Sequence, residues 1–173
     1  VPEPDGPIEV QPALDPPITV GFTPVKGERP EWTVAKLTEL GVDRIVPLRS
    51  DRSVVRWDGE RGAQQVQRLR RIVRESVMQA RRCHVPQVSE VLEPTDVADA
   101  ALAHFDGAPL SLRSPAVLVG PEGGWSEAEL AAPRPHVTLG PFVLRAETAA
   151  LAAAALLGAL RSEADITLRG QRR

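Results

Sequence analysis

The 173-residue sequence contains few of the residues that form disulfides and metal sites. It has one cysteine, Cys83, and three scattered histidines, which excludes an internal disulfide and does not indicate a metal site. No apolar run approaches the roughly 20 residues that a membrane-spanning helix needs. The N-terminus also lacks the charged start and apolar stretch of a secretion signal. We therefore expect a cytoplasmic protein with no metal and no membrane partner.

The charge of the sequence is unevenly distributed. The hydrophobic share of 42% and the charged share of 25% are typical of one ordinary globular domain. Residues 44–82 hold eleven arginines and four acidic residues, so this segment carries +7 and the rest of the chain carries −9. Such a cationic segment favours a polyanionic partner such as RNA. The alternative is a solvated helix face that uses arginine.

The pattern along the chain predicts strands that alternate with helices. Six prolines in residues 1–17 indicate a linker. We expect strands at about 18–22, 42–48, 116–119 and 136–139, and helices at about 30–41, 61–82, 147–161 and from 96–102 onward. The alternation predicts an α/β fold with a mainly parallel sheet. The last helix is apolar on nearly every face and must be buried, in the core or against another subunit.

Two glycine-containing loops are the candidates for chemistry. Gly120-Pro121-Glu122-Gly123-Gly124 follows a predicted strand and precedes a helix that Ser126 and Glu129 cap. Glycines allow close approach of the backbone, and open amides then face a bound group. The loop has neither the Walker motif nor the dinucleotide fingerprint. By itself it is equally consistent with a structural tight turn.

The second loop runs from Leu139-Gly140 to Leu144-Arg145-Ala146-Glu147-Thr148-Ala149. Glu147 could be a favourable charge on the first helical turn, and Arg145 could be a surface residue. Two loops that each follow a strand favour a ligand site, because open α/β sheets bind ligands at the carboxyl ends of their strands.

In this order and spacing, the two motifs resemble those of the bacterial 16S ribosomal RNA uridine-N3 methyltransferases, which belong to the SPOUT class of S-adenosylmethionine-dependent enzymes. Further matches lie upstream, at Lys36-Leu37-Thr38-Glu39-Leu40-Gly41-Val42, at Pro47 with Arg49-Ser50 and Arg52-Ser53, and at Gln79 with Arg82 and Pro86. The resemblance covers about residues 18–161.

The resemblance implies an α/β knot with a mainly parallel sheet and a deep C-terminal trefoil knot. It implies a SPOUT methyltransferase domain over residues 18–173, and residues 1–17 are then the remnant of a connection to an absent N-terminal PUA-like domain. The implied partners are the 16S rRNA of the small ribosomal subunit and a second copy of the chain, with the active site at the subunit boundary.

The resemblance also implies where the cofactor and the substrate bind. S-adenosylmethionine would contact Leu118, Val119, Gly120, Gly124, Leu139, Gly140, Leu144 and Thr148. Candidate RNA contacts are Lys26, Arg49, Arg52, Gln79 and Arg82. Uridine N3 is protonated near pH 7, so the site needs a base or a cation that stabilises the developing anion. We expect Arg145 as the cation or as a contact to a nearby phosphate. Glu122 and Glu147 are the candidate bases, and the alternative for either is a structural role, for Glu122 that of bracing its loop.

Two alternatives remain open for the function. One is a SPOUT ribose 2′-O-methyltransferase that acts on tRNA or rRNA. The other is a non-catalytic ribosome-assembly factor that binds RNA.

Overall fold

The computed structural model describes residues 6, 10–27 and 29–170, with side chains described as far as residue 165. Much of the predicted linker, at residues 1–5 and 7–9, lies outside this part, as do residues 171–173 of the predicted methyltransferase domain. Residues 10–17 lie against the body of the protein, where the Cys83 thiol donates to Oε1 of Gln11 at 3.2 Å.

Strands and helices alternate along most of the chain, as predicted. The strands are β1 (Thr19–Phe22), β2 (Arg44–Pro47), β3 (Gln87–Val88), β4 (Ala101–Pro109), β5 (Ala116–Val119) and β6 (His136–Thr138). The helices are α1 (Arg29–Glu39), α2 (Gly59–Gln79), α3 (Glu127–Leu130) and α4 (Ala146–Gly170), with a 3-10 helix at Pro94–Asp96. None of the described helices is long and apolar enough to cross a membrane.

All six strands pair in parallel in one sheet with the order β3-β2-β1-β5-β4-β6. Successive side chains of a strand point to opposite faces, and both faces of this sheet are covered. Val117 and Val119 pack with α1, α2 and α4 in the larger core, and Leu118 packs on the opposite face with Val46 and Trp125. The predicted α/β fold with a mainly parallel sheet is confirmed.

The prediction of a helix that begins over residues 96–102 is wrong. The 3-10 helix ends at Asp96, and Ala101 and Leu102 already belong to β4, between β5 and β6. Alanine and leucine favour a helix locally, but here sheet pairing and complete burial of both side chains prevail. Only residues 97–100 connect the 3-10 helix to β4, and they form no α-helix.

The structure defines the buried face of one helix and the end of another. On α1, Trp32 is half exposed, and the buried face is formed by Pro30, Thr33, Val34, Leu37 and Thr38. Helix α4 continues to Gly170, beyond the predicted end near Arg161. Its buried side is built largely from alanines, which allow close approach of the helix to the sheet, and Leu156 faces outward with 42% exposure.

A buried ionic cluster joins α4 to the start of β2. Asp43 accepts from the Arg161 guanidinium at 2.5 Å and from the Arg82 guanidinium at 3.2 Å. The two arginines also donate to backbone carbonyls, Arg82 to Thr38 and Val42, and Arg161 to Pro16 and Gly41. Burial lowers the pKa of Arg82 from its usual value, more than the opposing attraction of Asp43 raises it.

Removal of the Asp43 carboxylate is expected to destabilise the fold strongly. Asp43→Ala leaves two largely buried guanidinium groups without their counter-charge, which costs about 3–5 kcal/mol in comparable buried pairs. Glu39→Ala is the control, because it breaks the exposed Lys36–Glu39 pair and is expected to cost less than about 1 kcal/mol. Urea unfolding followed by circular dichroism measures both. Equal losses for the two variants would contradict a structural role for the cluster.

Candidate active site

The two glycine-containing loops line one cleft. We call residues 120–126 the first loop and residues 139–145 the second loop. The cleft has a volume of about 410 Å³. Its walls come from the two loops, the end of β4, Arg52 and the start of α4, and include Val119, Gly120, Glu122, Gly124, Trp125, Leu139, Gly140, Phe142, Val143, Leu144, Ala146 and Ala149. The loops are therefore neighbours in space, as a ligand site formed by both of them requires.

The strand order explains why the loops meet. β5 and β6 lie on either side of β4, and the carboxyl ends of parallel strands lie at the same edge of a sheet. The pairing of β4 with β6 shifts register between Ala103 and Ala108, so the intervening residues bulge out of the ladder. Two of these residues, His104 and Phe105, line the cleft between the loops.

Trp125 fixes the first loop to the sheet. Its side chain is buried, and its indole Nε1 donates to the carbonyl of Ala103 on β4 at 3.0 Å. The indole lies so close to Gly120 that a Cβ there would be 2.9 Å from a ring carbon. The loop then turns through a bond from the Gly124 amide to the Pro121 carbonyl at 2.8 Å, with Gly124 at φ +71°. Gly124 thus meets a conformational demand that other residues satisfy poorly.

The segment after β2 braces the first loop from outside. The Ser126 hydroxyl donates to Asp51 at 2.6 Å, and the Asp51 amide donates to Glu129 at 3.2 Å. Ser126 and Glu129 also form the predicted capping box at the start of α3. Arg52 donates from Nη1 to the Gly123 carbonyl at 3.2 Å. These bonds hold Arg52 beside the loop and in the wall of the cleft.

The second loop presents open backbone and exposed apolar side chains. Gly140 has a φ of +142°, which side-chain-bearing residues rarely adopt. Among the described residues, the amides of Val143 and Leu144 donate no hydrogen bond. The side chains of Phe142 and Val143 are 81% and 97% exposed. The loop therefore offers the cleft both backbone donors and apolar contact.

A second cavity of about 320 Å³ lies beside the first loop. It shares Arg52, Pro121 and Glu122 with the cleft. Its remaining walls are Pro24, Val25, Lys26, Arg29, Val54, Val55 and Gly123. Three cationic side chains and one carboxylate thus line a cavity that continues from the cleft. This second cavity is the more basic of the two.

Most of the residues predicted to contact a cofactor lie in the cleft. Val119, Gly120, Gly124, Leu139, Gly140 and Leu144 all line it. Leu118 does not, because it precedes Val119 by one residue and points to the opposite face of the sheet. Thr148 is exposed on α4 and is also outside the lining.

The predicted catalytic residues occupy three different environments. Glu122 is exposed and lines both cavities. Arg145 is exposed, and its side chain lines neither cavity. Glu147 lines neither cavity, but its carboxylate lies 3.4 Å from the Arg29 guanidinium. Among the three, the structure brings only Glu122 to the cavities directly.

The residues predicted to bind RNA are also divided. Lys26 and Arg52 line the second cavity, and Gln79 is exposed at the end of α2. Arg49 bonds to Glu93 at 2.7 Å and Asp58 at 3.1 Å, and these hydrogen bonds raise its pKa. Arg82 belongs to the buried cluster with Asp43, so its bonding is that of a structural residue.

Several site residues were missed in the sequence. His104 and Phe105 were not predicted as site residues, because the segment just before them was expected to form a helix. Only the observed strand β4 places them in the cleft. Phe142 and Val143 stand inside the second motif and could have been found there. Arg29 lies three positions after Lys26. This close spacing of two basic residues could have indicated that Arg29 belongs to the same site. No group of three or more metal-binding side chains occurs within the described part of the chain.

Residues 13–158 match the RNA methyltransferase domain family. The chain belongs to this family. The match covers β1 through the first half of α4 and includes both loops of the cleft.

Relatives of this RNA methyltransferase domain agree with the assignment. The chain is 35% identical, over 89% of its length, to the ribosomal RNA small subunit methyltransferase E of Mycobacterium bovis and covers 67% of that protein. The enzyme of the same name from Neisseria gonorrhoeae, solved bound to S-adenosyl methionine, has 35% identity and a TM-score of 0.70 over 83% of this chain and 66% of that one.

A third relative is the methyltransferase of Legionella pneumophila that was solved with its bound cofactor SAM. It has 29% identity and a TM-score of 0.73, over 83% of this chain and 66% of that chain. The methyltransferase domain described here thus spans about two thirds of the length of these relatives.

The close contact between Gly120 and Trp125 predicts a sharp difference between two alanine variants of the methyltransferase. Gly120→Ala places a methyl group against the indole and is expected to cost about 1–3 kcal/mol, as overpacking does. Gly123→Ala is the matched control, because a Cβ there has its nearest neighbour at an ordinary 3.6 Å. Urea unfolding measures the stabilities, and the indole N–H resonance of Trp125 reports the local change. An unmoved resonance in Gly120→Ala would contradict the anchoring role.

Proposed function

We propose that the protein is an S-adenosylmethionine-dependent methyltransferase that methylates N3 of a uridine in 16S rRNA of the small ribosomal subunit. The observation that carries this proposal is the convergence of the two glycine-containing loops on one cleft, which continues into a basic cavity. Membership of the RNA methyltransferase family and relatives named as small subunit methyltransferases support it.

The cleft fits S-adenosylmethionine in its shape and in its donor groups. Gly140 leaves open space beside the backbone, and the amides of Val143 and Leu144 are open among the described residues. Val119, Leu139 and Ala149 provide apolar surface. Adenine needs this combination of apolar contact and backbone hydrogen bonds. When bound, the cofactor supplies an electrophilic methyl group on a sulfonium, so no metal is needed for the transfer.

The shared wall of the two cavities carries the groups that the nucleophile requires. Uridine N3 has a pKa of roughly 9 and must lose its proton to attack. Glu122 lines both cavities, and we propose that its carboxylate accepts this proton. Arg52 lines the same two cavities and stabilises the negative charge that spreads to the flanking carbonyl oxygens. This second role was predicted for Arg145, which lines neither cavity, and we propose instead that Arg145 contacts an RNA phosphate at the rim of the second loop.

We considered four exposed side chains as contacts to the RNA substrate. Lys26 and Arg52 lie in the second cavity, and Gln79 and Arg49 are exposed farther away on the same chain. Arg49 already pairs with two carboxylates, which weakens its attraction for phosphate. We therefore assign the main RNA contact to the second cavity rather than to Arg49.

We further propose that the chain has the SPOUT knot and acts as a homodimer in the cytoplasm. The support for the dimer is an apolar strip on α4, where Ala152, Ala155, Leu156 and Ala159 share one side of the helix by their spacing. Ala155, Leu156 and Ala159 are exposed. The strip belongs to the helix whose sequence is apolar on nearly every face, and the sheet covers only the other side of that helix.

The function is tested by incubating the protein with methyl-labelled S-adenosylmethionine and unmethylated small subunits. Nucleoside mass spectrometry of the rRNA is expected to give N3-methyluridine. Glu122→Gln is expected to lower kcat by about 100-fold, as loss of a general base does, with cofactor affinity unchanged in calorimetry. Label on a ribose 2′-oxygen would overturn the uridine-N3 assignment. Absence of cofactor binding by the unsubstituted protein would favour an assembly factor instead.

The dimer proposal predicts that a charge on the α4 strip separates the subunits. Leu156→Glu is expected to convert a dimer to a monomer in sedimentation velocity, because it buries an unpaired carboxylate at the interface. Met78→Glu is the control, since Met78 is a 72% exposed apolar residue on α2, outside the strip. A Leu156→Glu variant that sediments like the unsubstituted protein would refute this interface.

A further inference from the structure

The second cavity combines apolar walls with three cationic side chains. Lys26, Arg29 and Arg52 contribute the cations, and Glu122 is the carboxylate in the lining. Pro24, Val25, Val54, Val55 and Pro121 supply the apolar surface. A site for free phosphate has no need of this apolar surface, and a purely apolar ligand has no need of the cations. A nucleotide, which joins a flat base to a phosphate, satisfies both parts of the cavity.

Arg29 is held in this cavity by a carboxylate that lies outside it. Glu147 Oε1 is 3.4 Å from Arg29 Nη1, and the Glu147 side chain is only 14% exposed. Its other oxygen, Oε2, is buried and has no hydrogen-bond partner among the described residues. A carboxylate in this position is poorly solvated, so its charge acts mainly on Arg29. Arg29 itself remains half exposed and can contact a ligand from its other side.

Glu147 also connects this contact to the cleft. It stands on the first turn of α4, directly after the second loop, and its neighbour Ala146 lines the cleft. The same turn of helix therefore closes the first cavity and positions a cation in the second. Arg52 and Glu122 lie in the wall between them.

We propose that the second cavity binds the target nucleotide of the RNA through its phosphate, with Arg29 as a phosphate contact and Glu147 as its positioning residue. This inference rests on the proposed function and assigns the substrate side of the same site. It gives Glu147 a different role from the catalytic base predicted from the sequence. Arginine suits this task because its planar guanidinium bonds a carboxylate on one edge and a phosphate on another.

A double-mutant cycle tests the proposal in the methyl-transfer assay. Arg29→Ala is expected to raise the KM for RNA about tenfold, the effect of losing one charge-assisted hydrogen bond, with kcat and cofactor affinity unchanged. Glu147→Gln is expected to raise the same KM several-fold. The double variant is expected to behave like Arg29→Ala alone, because Glu147 acts through Arg29. Arg113→Ala, an exposed arginine outside both cavities, is the control and is expected to change nothing.

Other outcomes overturn the proposal. An unchanged KM in Arg29→Ala removes Arg29 from the substrate site. A large loss of kcat in Glu147→Gln that persists in the Arg29→Ala background makes Glu147 a chemical group rather than a positioning residue.

Direct RNA binding keeps this test separate from that of the proposed function. Fluorescence anisotropy with a uridine-containing RNA fragment, measured over a range of salt concentrations, is expected to give a salt slope lower by about one in Arg29→Ala. This readout needs no methyl transfer. If the unsubstituted protein bound no S-adenosylmethionine but the slope fell, the function would fail and the subsite would stand. An unchanged slope would refute the subsite whatever the activity.

Discussion

The position of β4 between β5 and β6 is the constraint on which the site depends. Because all strands are parallel, the loops that follow β5 and β6 leave the sheet at the same edge, one strand apart. That spacing leaves a gap between the two loops. His104 and Phe105, which belong to the bulge of β4, line this gap. Had β6 paired directly with β5, the loops would have packed against each other and left no cleft. The topology, more than any one side chain, therefore creates the binding volume.

The first loop is rigid because its bonds run in three directions. Trp125 ties it to β4, Ser126 ties it to Asp51, and the Gly123 carbonyl accepts from Arg52. Gly120 is needed for the first of these bonds, since the indole occupies the space of its missing Cβ. The glycines thus serve packing as well as ligand approach. The first loop is therefore a tight turn, and its residues also line the cleft.

Sequence reasoning predicted the order of most elements and the residues of both loops, and it failed where tertiary pairing decides the structure. The alanines and leucine near residue 100 favour a helix, and only the neighbouring strands make this segment β4. The cationic segment shows a related limit. Its net charge predicts a polyanionic partner, but the sequence does not show that Arg49, Arg70 and Arg82 pair with acidic residues outside the segment. Such pairing joins residues far apart in sequence, and composition cannot reveal it.

Acidic residues inside and outside the cationic segment pair with several of the arginines. Asp43 forms ion pairs with Arg82 and Arg161 in a largely buried cluster. Glu93 and Asp58 form ion pairs with Arg49 on the surface. Lys26 makes no ion pair within the described residues, and Arg52 donates only to a backbone carbonyl, so no carboxylate of the described residues pairs with either. Arg29 is intermediate, because Glu147 orients it without enclosing it. Lys26, Arg29 and Arg52 thus place positive charge beside the first loop, next to the cleft.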